Sequence, residues 1–469
     1  MQVSRISGGI SNLLVKLQPP PPLQPVAVKV FGDKTELLID REAEKGTLLR
    51  LNSVGFGAPV VGLFGNGRIE QFLIAKTLTP DEMADPRFVP HIARRLRAFH
   101  DLQLGDMPAA AGTTLPTSAC TSAPGPATAT ASSVPPETGS PTSPSGSDSG
   151  SNCRTMTSQW DTIYAWLAMA EGLSFPQDPA KQAAYDKVDF GGMRSELAAL
   201  REMCERVGSP RVFCHNDLLS GNILVVQHGE QQQQQGQGQQ QQAQGLEVPS
   251  SPQQQQQEEE EEGTQARAAA VDGADQEQAC TSGASSSSAD DVLQGGELQF
   301  IDFEYSCYGI RGFDLGNHFN EYAGFDCDYG RFPTPQQQKL FFRHYLEPGE
   351  LRALAHEHLR SSSSRSQPAS TTPPAAAVTD AGAAAAVAAA TLPSEADLGA
   401  AEEAVLDRLV SEACVYALVS HAYWGVWSFI QARYSPIEFD YMDYSGLRWG
   451  EYHRRKQEFF ALVDRHFPK

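Results

Sequence analysis

Three tracts of this chain cannot build a core, and they limit what the rest can fold into. Residues 105–151 are mostly Ala, Ser, Thr, Pro and Gly. Residues 229–296 are Gln-rich and acidic, with the run Glu258 to Glu262, and residues 361–396 are Ser followed by Ala and Thr. Few large apolar side chains are available there to offset chain entropy. Of the 469 residues, about 300 remain, which suits one bilobal unit better than several domains. The expected division is a sheet-rich lobe over 1–104 and a helical lobe over 152–228, 297–360 and 397–469, with insertions at 105–151, 229–296 and 361–396. Loop-closure entropy grows only logarithmically with length, so even the longest insertion is tolerable.

The formal net charge is −21, and the Gln/Glu tract carries roughly half of it, leaving the remainder only mildly acidic. No basic patch with interleaved aromatics points to nucleic acid. The 8 cysteines are scattered, without a CxxC pair, which predicts reduced thiols in an intracellular protein. Met1 to Arg5 lacks an apolar leader, and no stretch approaches the length of apolar residues a membrane span needs. A cytoplasmic protein without membrane insertion is the expectation.

Strands are predicted on either side of a Gly8-Gly9 turn, over 26–31, and around the Gly65-Asn66-Gly67 turn at 60–63 and 69–74. Helices are predicted over 40–51 and 88–100. Beyond the first tract, 161–171 and 192–207 read as helices, and 212–214, 223–226 and 298–301 as strands. The last two are expected to pair as a hairpin whose turn carries the Gln/Glu tract. Ala413, Ala417, His421, Trp424 and Trp427 share one face of a C-terminal helix.

Two short motifs carry the chemistry. His215-Asn216-Asp217-Leu218-Leu219-Ser220-Gly221-Asn222 follows one strand, and Ile301-Asp302-Phe303-Glu304 closes another. Taken alone, each is equally an Asx turn or a cap. In this order they match phosphotransferases that use ATP, where the first Asp takes the acceptor hydroxyl's proton and the Asn and second Asp hold magnesium. Asp217 and Asn222 are thus the catalytic candidates, and Asn222, Asp302 and Glu304 the Mg²⁺ ligands. Lys29 lies mid-strand, where a charge needs a partner; Glu44 on the next helix is the expected one, aiming Lys29 at ATP phosphates. Ser7, Gly8, Gly9 and Asn12 form a turn whose backbone N–H groups suit phosphate.

These motifs, with Phe313-Asp314-Leu315-Gly316-Asn317-His318-Phe319 and the Trp424-Gly425-Val426-Trp427 helix, resemble the choline/ethanolamine kinases over nearly all the ordered sequence. The resemblance implies an α+β, protein-kinase-like two-lobed fold, with a small sheet-rich N-lobe, a larger helical C-lobe and three low-complexity insertions. It implies phosphorylation of a small amino alcohol by ATP and Mg²⁺, the first step of the CDP-alcohol route to phospholipids. Leu218-Leu219, Asn320 before Glu321, and the short 322–329 run look like plant-type ethanolamine kinases. Ethanolamine is therefore the expected acceptor, with choline, or both, as the alternative.

A pocket for such a cation would use Glu321 for the ammonium and Trp424, Trp427 and Tyr444 as aromatic faces. His215, Asp314 and Asn317 are expected to support the Asp217 loop, Asp314 by bonding its backbone or by capping. The sequence begins close to the Gly8-Gly9 turn, whereas that family ordinarily carries residues ahead of it, which bears on lobe stability and on formation of a homodimer. A rival reading is an aminoglycoside-type phosphotransferase. A more remote one is an inactive kinase-like interaction protein using the biased tracts.

Overall fold

The computed structural model describes residues 1–6, 12–32, 34–105, 159–227, 292–293, 295–365 and 393–469. Ser7, Gly8 and Gly9 lie outside the described residues, as does most of each biased tract.

β1 (Gln2–Ile6), β2 (Asn12–Gln18), β3 (Val26–Phe31), β4 (Val60–Phe64) and β5 (Gly67–Gln71) form an antiparallel sheet in the order β1-β2-β3-β5-β4. The β-branched run Val26-Ala27-Val28-Lys29-Val30-Phe31 suits the central strand, which pairs on both sides. Gly67 is required where β5 meets β3: an added Cβ would stand 2.3 Å from the Lys29 carbonyl oxygen. Between β3 and β4 runs α1 (Arg41–Ser53), whose first N–H groups are capped by the Asp40 carboxylate.

The sheet lobe ends sooner than the sequence suggests. The strand expected over 69–74 stops at Gln71, and the chain crosses to the helical lobe. There β6 (Ala75–Thr77) pairs with β8 (Ile223–Val226), which pairs in turn with β9 (Glu297–Phe300). After α2 (Pro80–Ala84), α3 (Val89–His100) buries Ile92, Leu96 and Phe99. Phe99 packs on Phe213, Phe300 and Phe303. Residues 75–104 therefore belong with the second lobe and not with the first, because the apolar face of α3 is satisfied there.

The second lobe continues through α4 (Gln159–Glu171), α5 (Pro179–Tyr185), α6 (Phe190–Val207), β7 (Arg211–Cys214) and β10 (Cys307–Ile310), which pairs with β7. The remaining helices are α7 (Arg311–Asn320), α8 (Pro335–Tyr345), α9 (Glu350–Arg365), α10 (Glu395–Tyr434) and α11 (Tyr441–His466). Ile223 stands opposite Phe300 across β8 and β9, so these strands are neighbours despite the long tract between them. α9 and α10 both reach into the interval 361–396, which is shorter as an insertion than its composition implies.

α10 is the hub. From Leu409 to Ala432 it is buried on all sides, and it packs on α4, α6, α7, α8, α9 and α11. A stretch of α10 is long and apolar enough to cross a membrane, contrary to the sequence expectation, and that stretch is wholly buried inside the fold. α7 approaches it tightly: a Cβ on Gly316 would lie 2.4 Å from the Ala417 nitrogen and 2.7 Å from the Ala413 oxygen.

Candidate active site

The Asp217 loop begins where β7 ends. Asn216 takes a left-handed backbone, with φ of 66°, and its side chain is held on both sides. Its amide donates to the Tyr305 carbonyl at 2.8 Å, and the Gln159 amide donates to its oxygen at 2.8 Å. Beneath it lies Asp314, fully buried on α7. Asp314 accepts the N–H of His215 at 2.7 Å, the N–H of Asn216 at 2.6 Å and His100 Nε2–H at 3.0 Å. Burial alone would raise the Asp314 carboxyl, but His100 and the loop N–H groups hold it below its ordinary value.

His215 and Asn317 complete the support. His215 Nε2–H donates to the Ile301 carbonyl at 3.0 Å, while its Nδ1 receives the Asp217 N–H at 3.3 Å. The ring thereby ties the Asp217 loop to the Asp302 strand in a single tautomer. Burial pushes its imidazole below its ordinary pKa, which suits a neutral strut. Asn317 donates to the Asn216 carbonyl at 3.3 Å and receives Trp424 Nε1–H at 2.8 Å.

Asp217 faces the cleft. Asn222, in the helical turn before β8, donates its amide to the Asp217 carbonyl at 2.8 Å and carboxylate at 3.3 Å. Neither bond uses the Asn222 side-chain oxygen. Burial, then the carboxylates of Glu321, Asp302 and Glu304, push the Asp217 carboxyl well above its usual range, against the pull of Asn222. A carboxylate so placed is a stronger base than one in water.

Asp302, like Asn216, sits at positive φ, 64°, as the chain turns out of β9. Its side chain is 31% exposed and that of Glu304 only 3%. Lys29 Nζ lies between them, 2.6 Å from Asp302 and 3.4 Å from Glu304. Burial by itself lowers the Lys29 ammonium, yet Asp302 and then Glu304 outweigh it and hold it above its ordinary value. Glu304 also receives the Asn12 amide at 2.9 Å and Arg41 at 3.2 Å.

The expected Lys29–Glu44 pair does not form. Arg41 takes Glu44 at 2.6 Å, and Arg68 on β5 takes its other oxygen. Glu44 acts on Lys29 only through space, as the weakest of the charges raising it. The sequence reading missed both arginines. Arg41 carried a signal, since it stands three residues before Glu44 on the same helix; it reaches Glu44, Glu304 and Asn12 and lies over the Phe31 ring at 4.2 Å.

The same cleft also has aromatic lining. Trp424, Trp427, Tyr305, Phe439 and Tyr444 line it together with Glu321. Trp424 stands edge-on to Trp427 at 5.4 Å and to Tyr305 at 5.2 Å. Trp427 Nε1–H donates to the Tyr305 hydroxyl at 3.0 Å. Glu321 is bound at 2.6 Å by Arg448 of α11, a residue the sequence reading did not single out. Of the positions that suggested the acceptor, Leu219 lines the cleft, whereas Asn320 is buried against α10, donating to the Ala417 carbonyl at 2.9 Å. Leu218 is buried too.

Three hard oxygen donors, from Asn222, Asp302 and Glu304, therefore line one cleft, with Lys29 bonded to the last two. That donor set fits Mg²⁺, which takes one or two carboxylates and completes its shell with phosphates and water.

The family model described as choline/ethanolamine kinase matches residues 3–453 of the chain. A probable ethanolamine kinase of Arabidopsis thaliana is 29% identical, the match covering 99% of this chain and 82% of the relative. A probable choline kinase of the same plant is 23% identical, covering 99% and 88%. In fold, the chain is similar to an ethanolamine kinase of Plasmodium vivax, with a TM-score of 0.56 at 21% identity, covering 96% of this chain and 81% of that one. It is also similar to a choline kinase of Cryptosporidium parvum, with a TM-score of 0.52 at 17% identity, covering 100% and 91%.

Proposed function

Because the chain belongs to the choline/ethanolamine kinase family, we propose that it transfers the γ-phosphoryl group of ATP to the hydroxyl of ethanolamine. The products are phosphoethanolamine and ADP. One observation carries this reading: a single cleft is lined by Asp217, Asn222, Asp302 and Glu304 and also by Glu321 and the two tryptophans. A short amino alcohol can touch both groups at once. Its ammonium meets Glu321 and the ring faces of Trp424 and Trp427, and its hydroxyl reaches Asp217.

Asp217 accepts the hydroxyl proton as the oxygen attacks in line, and its raised basicity suits that task. Asn222 fixes the Asp217 carboxylate and offers its oxygen to the metal alongside Asp302 and Glu304. Mg²⁺, when bound, neutralises charge on the phosphate oxygens. Lys29 supplies the protein's own cation at the same place, steadied by two carboxylates. No covalent enzyme intermediate is needed, so catalysis rests on positioning and charge.

The aromatic walls also suit a quaternary ammonium, which keeps choline as the second acceptor. We place the enzyme in a reducing compartment, the cytoplasm, on its unpaired cysteines Cys204, Cys214, Cys307, Cys327 and Cys414. The test of mechanism is Asp217→Asn. Turnover of ethanolamine should fall by at least about a thousandfold while calorimetry finds MgATP affinity within about threefold. Loss of ATP affinity in a folded variant would make Asp217 a nucleotide-binding residue instead.

A further inference from the structure

Glu321 follows α7, at the start of a short helical turn, and reaches the cleft with only 11% of its side chain exposed. Among the described residues its carboxylate has one hydrogen-bond partner, Arg448 Nη2 at 2.6 Å. Arg448 is itself buried, at 3% exposure. Its Nε–H donates to the Tyr444 hydroxyl at 2.8 Å, and the two residues lie one turn apart on α11. Tyr444, Arg448 and Glu321 thus form a chain from one wall of the cleft to the other. The guanidinium is planar, so a bond from Nε to Tyr444 and one from Nη2 to Glu321 fix its orientation. That orientation sets the Glu321 carboxylate, binding Oε1 and leaving Oε2 to the cleft.

An aromatic wall and a negative charge attract any small organic cation. They do not separate a primary ammonium, with three N–H donors, from a quaternary one with none. An oriented acceptor does, because a misplaced oxygen loses a hydrogen bond that only the N–H-bearing amine makes. We propose that Arg448 is a positioning residue that aims the Glu321 carboxylate at the substrate's primary ammonium, and so sets the preference for amines bearing N–H over quaternary amines. This rests on the reading that Glu321 meets the ammonium. The bond to the ammonium is present before and during transfer, so its loss raises KM and leaves kcat in place.

The experiment compares wild type, Arg448→Lys and Tyr444→Phe, reading kcat and KM for ethanolamine, KM for MgATP and the inhibition constant of choline against ethanolamine. Lysine keeps the charge but cannot make both bonds. For Arg448→Lys, the ethanolamine KM should rise by about tenfold or more, with kcat, the choline constant and the MgATP KM each within about threefold. Tyr444→Phe keeps the ring and frees the guanidinium, and should move the same constants in the same direction by about threefold to fivefold. It decides the matter if the lysine variant does not fold. Equal weakening of ethanolamine and choline would overturn the proposal, as would a fall in kcat with KM unchanged. A choline inhibition constant for wild type below its ethanolamine KM would instead overturn the substrate assignment, whatever the variants do.

Discussion

Asp314→Asn isolates the residue that holds the Asp217 loop. Among the described residues Asp314 accepts from three donors: His215 N–H at 2.7 Å, Asn216 N–H at 2.6 Å and His100 Nε2–H at 3.0 Å. Asparagine fills the same volume but replaces one oxygen by an NH₂ group. At least one buried N–H then loses its acceptor, at about 1–3 kcal/mol, and the bonds that remain lose the charge worth about another 1 kcal/mol each. A total of about 3–5 kcal/mol follows, a large share of the stability of a typical domain. The same change frees Asn216 from its left-handed conformation beside Asp217. A displacement near 1 Å there lowers kcat by about a hundredfold. Urea unfolding and initial rates on the purified variant measure both effects, with the MgATP KM expected to change by less than about threefold. Stability within about 1 kcal/mol of wild type and kcat within about threefold would refute the argument that Asp314 fixes the loop.

Three further changes test other parts of the account. Lys29→Met removes the cation between Asp302 and Glu304; the MgATP KM should rise by about tenfold or more in initial-rate assays, and an unchanged value would remove Lys29 from the phosphate site. Gly316→Ala forces a Cβ against the α10 backbone at 2.4–2.7 Å, so the variant should lose about 3 kcal/mol in urea unfolding. Burial lowers the His318 imidazole to about 4. Its neutral form is the one the fold accepts, so its contribution is complete above the unfolded value near 6.5 and is lost as pH falls toward the folded one. Asp217, raised by burial and its neighbours, acts in the opposite sense. The clean readout is therefore the stability gap between wild type and His318→Gln, which should shift by about 2 kcal/mol against wild type between pH 7.5 and pH 5. A gap that stays constant over that interval contradicts a neutral His318.

What the sequence made legible has a pattern. Asp217, Asn222 and Asp302 could be read because each lies within a few residues of a strand end, and local order fixes where such side chains emerge. Ile223–Val226 and Glu297–Phe300 could be paired across a long tract because apolar runs of equal length seek one another. The partner of Lys29 could not be read this way. Three carboxylates come within electrostatic reach of it, from α1 and from the Asp302 turn, and only the packing of the two lobes decides which it touches. Arg68 was hidden for the same reason, since its role depends on β5 lying beside β3. The end of the sheet lobe was misplaced because α3 carries an apolar face that sequence cannot assign to one lobe or the other. Arg448 carries no local signal, because its role depends on α11 bringing it against Glu321, a residue far away in the chain.

The most direct test of the whole account is phosphoryl transfer from MgATP by the wild-type protein to ethanolamine and choline, run side by side over matched concentrations with the products identified by mass spectrometry. The account predicts phosphoethanolamine, with kcat/KM for ethanolamine at least about tenfold above that for choline. A kcat/KM higher for choline, or ATP binding without transfer to either alcohol, would contradict it.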